Sequence, residues 1–228
     1  MNELYWLAML IINFIAIMVA FRLWGKVGLF IWIPISVIVA NIQVLKIVNL
    51  FGLEATLGNI VYATSFLATD ILSEFYGKKE ATKGVAIGFF ALVVMSLMMN
   101  VALLFEPAAT DFINPSLKAI FSLMPRVAFA SLVAYLVSQF HDVISYQFYK
   151  KIRPGVKYLW LRNNFSTLVS QLLDTIIFTL IAFLGVYERG VLIQIVISTY
   201  LLKAVVALLD TPFIYLAHYW HKNKVISD

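Results

Sequence analysis

Residues 165–186 read FSTLVSQLLDTIIFTLIAFLGV, a run of 22 residues whose only ionisable side chain is Asp174. At about 1.5 Å per residue such a run is long enough to cross ~30 Å of hydrocarbon as a helix. Gln171 and Asp174 are three positions apart, so a helix sets an amide and a carboxyl on one face. The same signature stands 32 residues earlier, where Ser138-Gln139-x-x-Asp142 anticipates Ser170-Gln171-x-x-Asp174. A charged group at mid-membrane costs roughly 2.5 to 3.5 kcal/mol on insertion scales. These polar residues are therefore expected to face the interior of a helix bundle and to mark a site there.

Six further apolar runs of about 20 residues flank this one, at Leu4 to Leu23, Leu29 to Val48, Leu57 to Phe75, Gly84 to Phe105, Ile120 to Phe140 and Val191 to Tyr219. Composition agrees: 62% of the residues are hydrophobic, 13% are charged and the mean hydropathy is +0.92. The fold expected is an all-α integral membrane protein, a polytopic bundle of six to seven transmembrane helices, with residues 1–228 as one transmembrane domain. Asn41, Gln43 and Lys46 interrupt the second span, and Asn59, Asp70 and Glu74 the third. Either is open to being broken or re-entrant.

The cations fix an orientation. Arg22 and Lys26 follow the first span, Lys78, Lys79 and Lys83 the third, and Lys222 and Lys224 the last; Lys150, Lys151, Arg153, Lys157 and Arg162 lie between the fifth and sixth. The alternate connections hold Lys118 and Arg189 among the acids Glu3, Glu54, Glu106, Asp111 and Glu188. By the positive-inside rule the carboxyl terminus is expected in the cytoplasm and the amino terminus outside, in a multi-pass cell-membrane protein. The net charge of +5 thus reports topology, and no nucleic-acid partner is expected. The first span is too long for a signal-peptide core and is expected to remain. With no cysteine, disulfides, thiolate ligands and cysteine lipidation are excluded.

The span at residues 84–105 holds only Ser96 and Asn100 as polar side chains, as scaffold facing lipid does. Elsewhere polarity needs an explanation. Asp70 and Glu74, four apart, share a face near the end of the third span, where Gly77 caps the helix and Lys78 and Lys79 suit its negative end. Asn164 reads as the amino-terminal cap of the sixth span, with Arg162 at the interface. Asp142 follows His141 near a cytoplasmic end. Asp210-Thr211-Pro212 kinks the last span, because proline removes an internal hydrogen bond. Three cations, Lys46, Arg126 and Lys203, fall within spans and are expected to balance Asp142, Asp174 and Asp210 in some pairing. His141, His218 and His221 are too dispersed for a metal site, so neither metal nor cofactor is expected.

Taken in order, Asn41…Lys46 before Phe51-Gly52-Leu53, Thr69-Asp70-Ile-Leu-Ser-Glu74-Phe-Tyr76-Gly77-Lys78-Lys79, Arg126, Ser138-Gln139-x-x-Asp142, Arg162-Asn163, Ser170-Gln171-x-x-Asp174-Thr175 and Asp210-Thr211-Pro212 resemble the queuosine precursor transporter family, also called the vitamin uptake transporter family. The likeness spans about residues 38 to 213. It implies a bacterial-type membrane protein importing 7-deazaguanines: 7-cyano-7-deazaguanine, 7-aminomethyl-7-deazaguanine or queuine. Read with residue type and depth, it makes Asp70, Glu74, Gln139, Gln171, Asp174 and Asn41 candidates for holding the cargo. Lys46, Arg126, Asp142, Arg162, Lys203 and Asp210 become the surrounding charge network.

Such a cargo offers adjacent N–H donors that one carboxylate accepts in parallel, a carbonyl, and a flat ring that stacks on an aromatic such as Tyr62, Phe66 or Tyr135. Glu74 would pair with the ammonium of an aminomethyl cargo. The chain has no G-x-x-x-x-G-K-[ST] loop and hydrolyses no nucleotide by that route. A secondary transporter or facilitator is expected. The alternative is a binding subunit that borrows an ATPase, with Ala16-x-x-x-Ala20 as its contact. An intramembrane enzyme is the reading of another class: Asp70 and Glu74 imitate an acidic pair, but no histidine cluster or metal-ligand pattern accompanies them. The expected partners are the 7-deazapurine and the bilayer, with self-association left open.

Overall fold

The computed structural model describes residues 1–121, 124–185 and 188–226. Val186, the expected end of the sixth span, and the Glu54 side chain lie outside the described residues. The first helix, α1 (Asn2–Gln43), has 42 residues, twice what one crossing needs. It doubles back at Gly25, whose φ of +52° with ψ of −131° suits only a residue without a side chain. Residues 2–24 and 26–43 therefore run antiparallel, with Gln43 reaching Met9 at 4.0 Å.

The two limbs pack closely because Gly28 faces the Ala20 carbonyl, and a Cβ at Gly28 would stand 2.1 Å from that oxygen. Gly28→Ala is expected to push the limbs apart and cost about 1–3 kcal/mol, read as a lower thermal midpoint in detergent; an unchanged midpoint contradicts this packing. Ala20, half of the Ala16-x-x-x-Ala20 pair, is covered by the chain's own second limb.

The second span ends at Gln43, earlier than the expected Val48. Its remaining residues form a hairpin of β1 (Ile47–Leu50) and β2 (Leu53–Thr56), paired antiparallel with Leu50 opposite Leu53. The β-branched run Ile47-Val48 fits a strand as readily as a buried helix. The hairpin is tied to the start of α1: the Asn2 amide donates to the Asn49 carbonyl at 3.0 Å, and Trp6 meets Phe51 edge-on at 6.0 Å.

Helix α2 (Gly58–Phe75) is the axis of the molecule, with every residue from Gly58 to Ser73 buried. It packs against both long hairpin partners and the later helices. Its polarity is affordable there. Thr64, Ser65 and Thr69 return their hydroxyls to carbonyls three residues back at 2.7, 2.7 and 2.9 Å, while one Asp70 oxygen and the Ser73 hydroxyl stay unpaired. Gly77, at φ +84°, ends α2 as expected and leads into α3 (Lys78–Ala102). The outward face of α3 carries Phe90, Leu97, Met98 and Val101.

After the short α4 (Asn114–Phe121) come α5 (Met124–Ile152) and α6 (Leu159–Phe183), which pack against each other more extensively than any other pair. Helix α7 (Arg189–Leu209) stops at Asp210 and α8 (Thr211–Lys222) continues with Pro212 in its first turn, so the expected interruption is present. Five segments among the described residues are long and apolar enough to cross a membrane, α1 counting once and α7 with α8 once. Separating the limbs of α1 and adding the enclosed α2 gives seven crossings.

Two boundaries shift in ways that matter. Helix α5 runs 12 residues past Phe140, so Asp142 is fully buried mid-helix and does not lie near an end. Helix α6 begins at Leu159, so Asn164 is no cap; its amide donates to the Trp160 carbonyl at 2.8 Å and to Thr211 at 2.7 Å, holding α8 against α6.

Candidate functional site

Three polar clusters line the bundle along the axis of α2. Nearest the hairpin end, Asp174 of α6 meets side chains from three other helices. Its Oδ1 accepts from the Tyr62 hydroxyl at 2.7 Å and from Ser138 at 3.1 Å. Its Oδ2 pairs with the Lys203 ammonium at 2.5 Å, and both charged side chains are 5% exposed. The ammonium also stands 5.1 Å from the Tyr62 ring centroid, within cation–π range.

Against this pair lies a cleft of about 530 Å³, its open mouth included. Asn41, Asn59, Tyr62, Phe178, Thr179 and Phe183 are among the residues that line it. Two of them, Asn41 through Oδ1 and Thr179 through its hydroxyl, are almost fully buried and have no hydrogen-bond partner. A buried acceptor without a donor costs on the order of 1–3 kcal/mol, which a polar guest in the cleft would recover. Apolar walls and a few converging polar groups are features of a small-molecule site.

Deeper along α2 lies an acid cluster. Asp70, fully buried, accepts from Thr167 at 3.0 Å. Asp142 of α5 faces Asp70, Ser166, Thr167 and Ser170. Asp210, at the break between α7 and α8, accepts from the Asn163 amide at 2.6 Å. Gln139 joins α5 to α2 through Ser65 at 3.0 Å and Thr69 at 3.2 Å.

At the cation-rich end Glu74 is held from several sides. Arg162 donates to it twice, at 2.5 and 3.0 Å, and spends its remaining nitrogen on the Arg153 and Gly155 carbonyls at 3.0 and 3.2 Å. Tyr146 donates to Glu74 at 3.2 Å and Lys150 lies 3.5 Å away. This knot joins α2, α5 and the start of α6, closing the bundle at that end.

Of the residues assigned to cargo from sequence, Asn41 and Asp174 line the cleft, while Asp70, Glu74, Gln139 and Gln171 do not. Lys203, assigned to the charge network, stands in the cleft wall beside Asp174. Glu74, already neutralised by Arg162 and Lys150, has no free charge for a cargo ammonium. Two of the expected charge partners are elsewhere. Lys46 is exposed in the turn before the hairpin, because the helix ends at Gln43. Arg126 is exposed and caps α6, donating to the carbonyls of Ile181 and Leu184 at 2.8 and 2.6 Å, as a cation at a helix carboxyl end does. Asn59, Ser131, Phe178, Thr179 and Thr199 were missed. Asn59 and Thr179 were visible as polar residues inside apolar runs, but nothing in their spacing ties them to one cleft.

The chain matches a family model described as "Putative vitamin uptake transporter" over residues 56–217. It is 48% identical over 216 residues to a Bacillus subtilis (strain 168) protein named "Probable queuosine precursor transporter", covering 95% of this chain and 94% of that one. A Haemophilus influenzae (strain ATCC 51907 / DSM 11121 / KW20 / Rd) protein of the same name is 29% identical over 154 residues, 68% of this chain and 62% of its own. No solved structure matches. The family model spans most of the chain, from the end of β2 into α8, and the Bacillus relative nearly all of it: the chain belongs to the vitamin uptake transporter family.

Proposed function

We propose that this chain is a membrane carrier that imports 7-deazaguanine precursors of queuosine, acting alone as a secondary transporter or facilitator. The names of both relatives support the cargo class, and the transporter family supports a protein that releases its ligand unchanged. The observation that carries the reading is the buried Asp174–Lys203 pair in the wall of a cleft with unpaired polar groups.

A carboxylate has about four acceptor positions. Tyr62, Ser138 and Lys203 occupy three at Asp174. The adjacent N–H donors of a deazaguanine edge take the fourth and the one that Lys203 vacates as its ammonium turns to the cargo carbonyl. Asn41 accepts from a further cargo N–H, and the ring lies against Tyr62 and Phe178. The charge pair thereby trades one partner for another inside the bundle, and no unpaired charge is created on binding.

Direction follows from the charge asymmetry. With the cation-rich end in the cytoplasm, the cleft opens outward and the Glu74–Arg162 knot closes the inner side. The test is queuosine in tRNA from a bacterial strain that neither makes its precursors nor has its own importer, grown in nanomolar 7-cyano-7-deazaguanine. Expression of this chain alone is expected to restore the modified nucleoside. Failure of the inserted protein with the cyano, aminomethyl and queuine compounds alike would overturn the reading.

A further inference from the structure

The two Ser-Gln-x-x-Asp motifs are related by more than spelling. Helices α5 and α6 lie antiparallel, and each aspartate faces the other motif's serine: Asp174 accepts from Ser138 at 3.1 Å, while Asp142 faces Ser170. The two motifs thus form two half-sites between these helices. At one, the aspartate meets the ammonium of Lys203. At the other, the aspartate meets a second carboxyl, Asp70.

Among the described residues, the cations nearest the second half-site are already engaged. Facing Asp70 and Asp142 are Asp210 from the α7–α8 break, Tyr146 from α5, and His141, whose Nδ1 stands 2.8 Å from Ser170. Arg162 and Lys150 are engaged by Glu74, and Lys203 by Asp174. His218 lies beyond, against Phe75 and within the field of Glu74. Asp142 is fully buried and neither of its oxygens has a hydrogen-bond partner; one oxygen each of Asp70 and Asp210 is also unpaired. The amide oxygen of Asn163, whose nitrogen donates to Asp210, is unpaired as well. Two carboxyls facing each other in the bundle interior repel strongly when both are ionised, and one proton shared as O–H···O⁻ relieves that repulsion.

We propose that Asp70 and Asp142 hold one exchangeable proton between them and that its transfer across the membrane drives accumulation of the cargo, an inference that rests on the carrier reading above. In the closed bundle the pair keeps its proton, because losing it leaves two buried like charges. Rearrangement of α5 against α6 wets the pair on the cytoplasmic side, where the proton leaves to water and the pair must be reloaded from outside before the carrier resets. Gln171 sits one helical turn from Thr167, which holds Asp70, and one turn from Asp174. Its amide, fully buried with neither atom paired, links the two half-sites in position.

The test uses the purified chain in liposomes with tritiated 7-cyano-7-deazaguanine, a pH-sensitive dye trapped inside and a pH step of one unit, acid outside. One proton per cargo makes that step worth about a tenfold accumulation. The wild type is expected to show it, with internal acidification on cargo entry. Asp142→Asn is expected to keep cargo exchange between equal pools and lose the response to pH. Asp142→Glu, which retains a carboxyl, is expected to keep both. Net cargo entry in the wild type without acidification, or an undiminished pH response in Asp142→Asn, overturns the proton site and leaves the carrier reading standing. Absence of any exchange in the wild type overturns the carrier reading, and the proton site with it.

Discussion

Asp174→Asn is expected to lower uptake of 7-cyano-7-deazaguanine by two orders of magnitude or more, with the protein still inserted in the membrane. Breaking a buried ion pair from one side costs roughly 3–5 kcal/mol, mostly through the charge left behind. Here that charge is the Lys203 ammonium, 5% exposed, and the Tyr62 and Ser138 hydroxyls lose their acceptor as well. An asparagine presents one acceptor oxygen and two donors where the cargo edge also presents donors, so recognition fails even if the fold survives. Stability and recognition separate in the double variant. Asp174→Asn with Lys203→Met removes the stranded charge and is expected to recover thermal stability in detergent without recovering uptake. Near-normal uptake by either variant, measured against membrane-inserted protein, would remove Asp174 from the site.

The second large effect is expected at the opposite end. Arg162→Met removes a guanidinium that is 1% exposed and bonds to both oxygens of Glu74 and to the carbonyls of Arg153 and Gly155. The loss should be roughly 3–5 kcal/mol, a drop in thermal midpoint on the order of 10 °C. Glu74→Gln should cost a similar amount, since it strands Arg162. The double variant should cost clearly less than the sum of the two, because each single change already breaks the same knot. Additive losses would mean that the two residues act apart. The same knot is the inner closure of the proposed carrier, so variants that fold at lower temperature are expected to leak cargo.

How much of this was legible in the sequence depended on whether a feature is local. Apolar runs of about 20 residues gave the seven crossings, and Asp210-Thr211-Pro212 gave the break between α7 and α8, because length and proline act on their own segment. The limits of the second span were less readable, since Ile47-Val48 suits a strand in a hairpin as well as a helix. Asp142 looked interfacial because His141 precedes it and polar residues follow. In the fold those polar residues face other helices, and α5 continues to Ile152. Pairing was the least legible. Nothing in periodicity joins Asp174 to Lys203 or Glu74 to Arg162, which are 29 and 88 residues apart. The expectation for Lys46 failed because it assumed helix at that position, and Arg126 found its partners in backbone carbonyls, which composition does not reveal.

The repeated Ser-Gln-x-x-Asp motif was legible as a repeat, but its meaning required the antiparallel packing of α5 on α6. Side by side in sequence the two copies look equivalent. In the bundle one faces a lysine and a cleft and the other faces a carboxyl, so the same three residue types stand in different surroundings.

The central claim is that the Asp174 carboxylate reads the adjacent N–H donors of a guanine-like edge. The measurement that tests it most directly is equilibrium binding to the purified chain of 7-cyano-7-deazaguanine against the same compound lacking its 2-amino group. A site built to accept both N–H groups should bind the deletion compound at least about a hundredfold more weakly, because a buried carboxylate oxygen is left without its donor. Equal affinity for the two compounds would contradict the account, and would place recognition in the aromatic walls of the cleft rather than at Asp174.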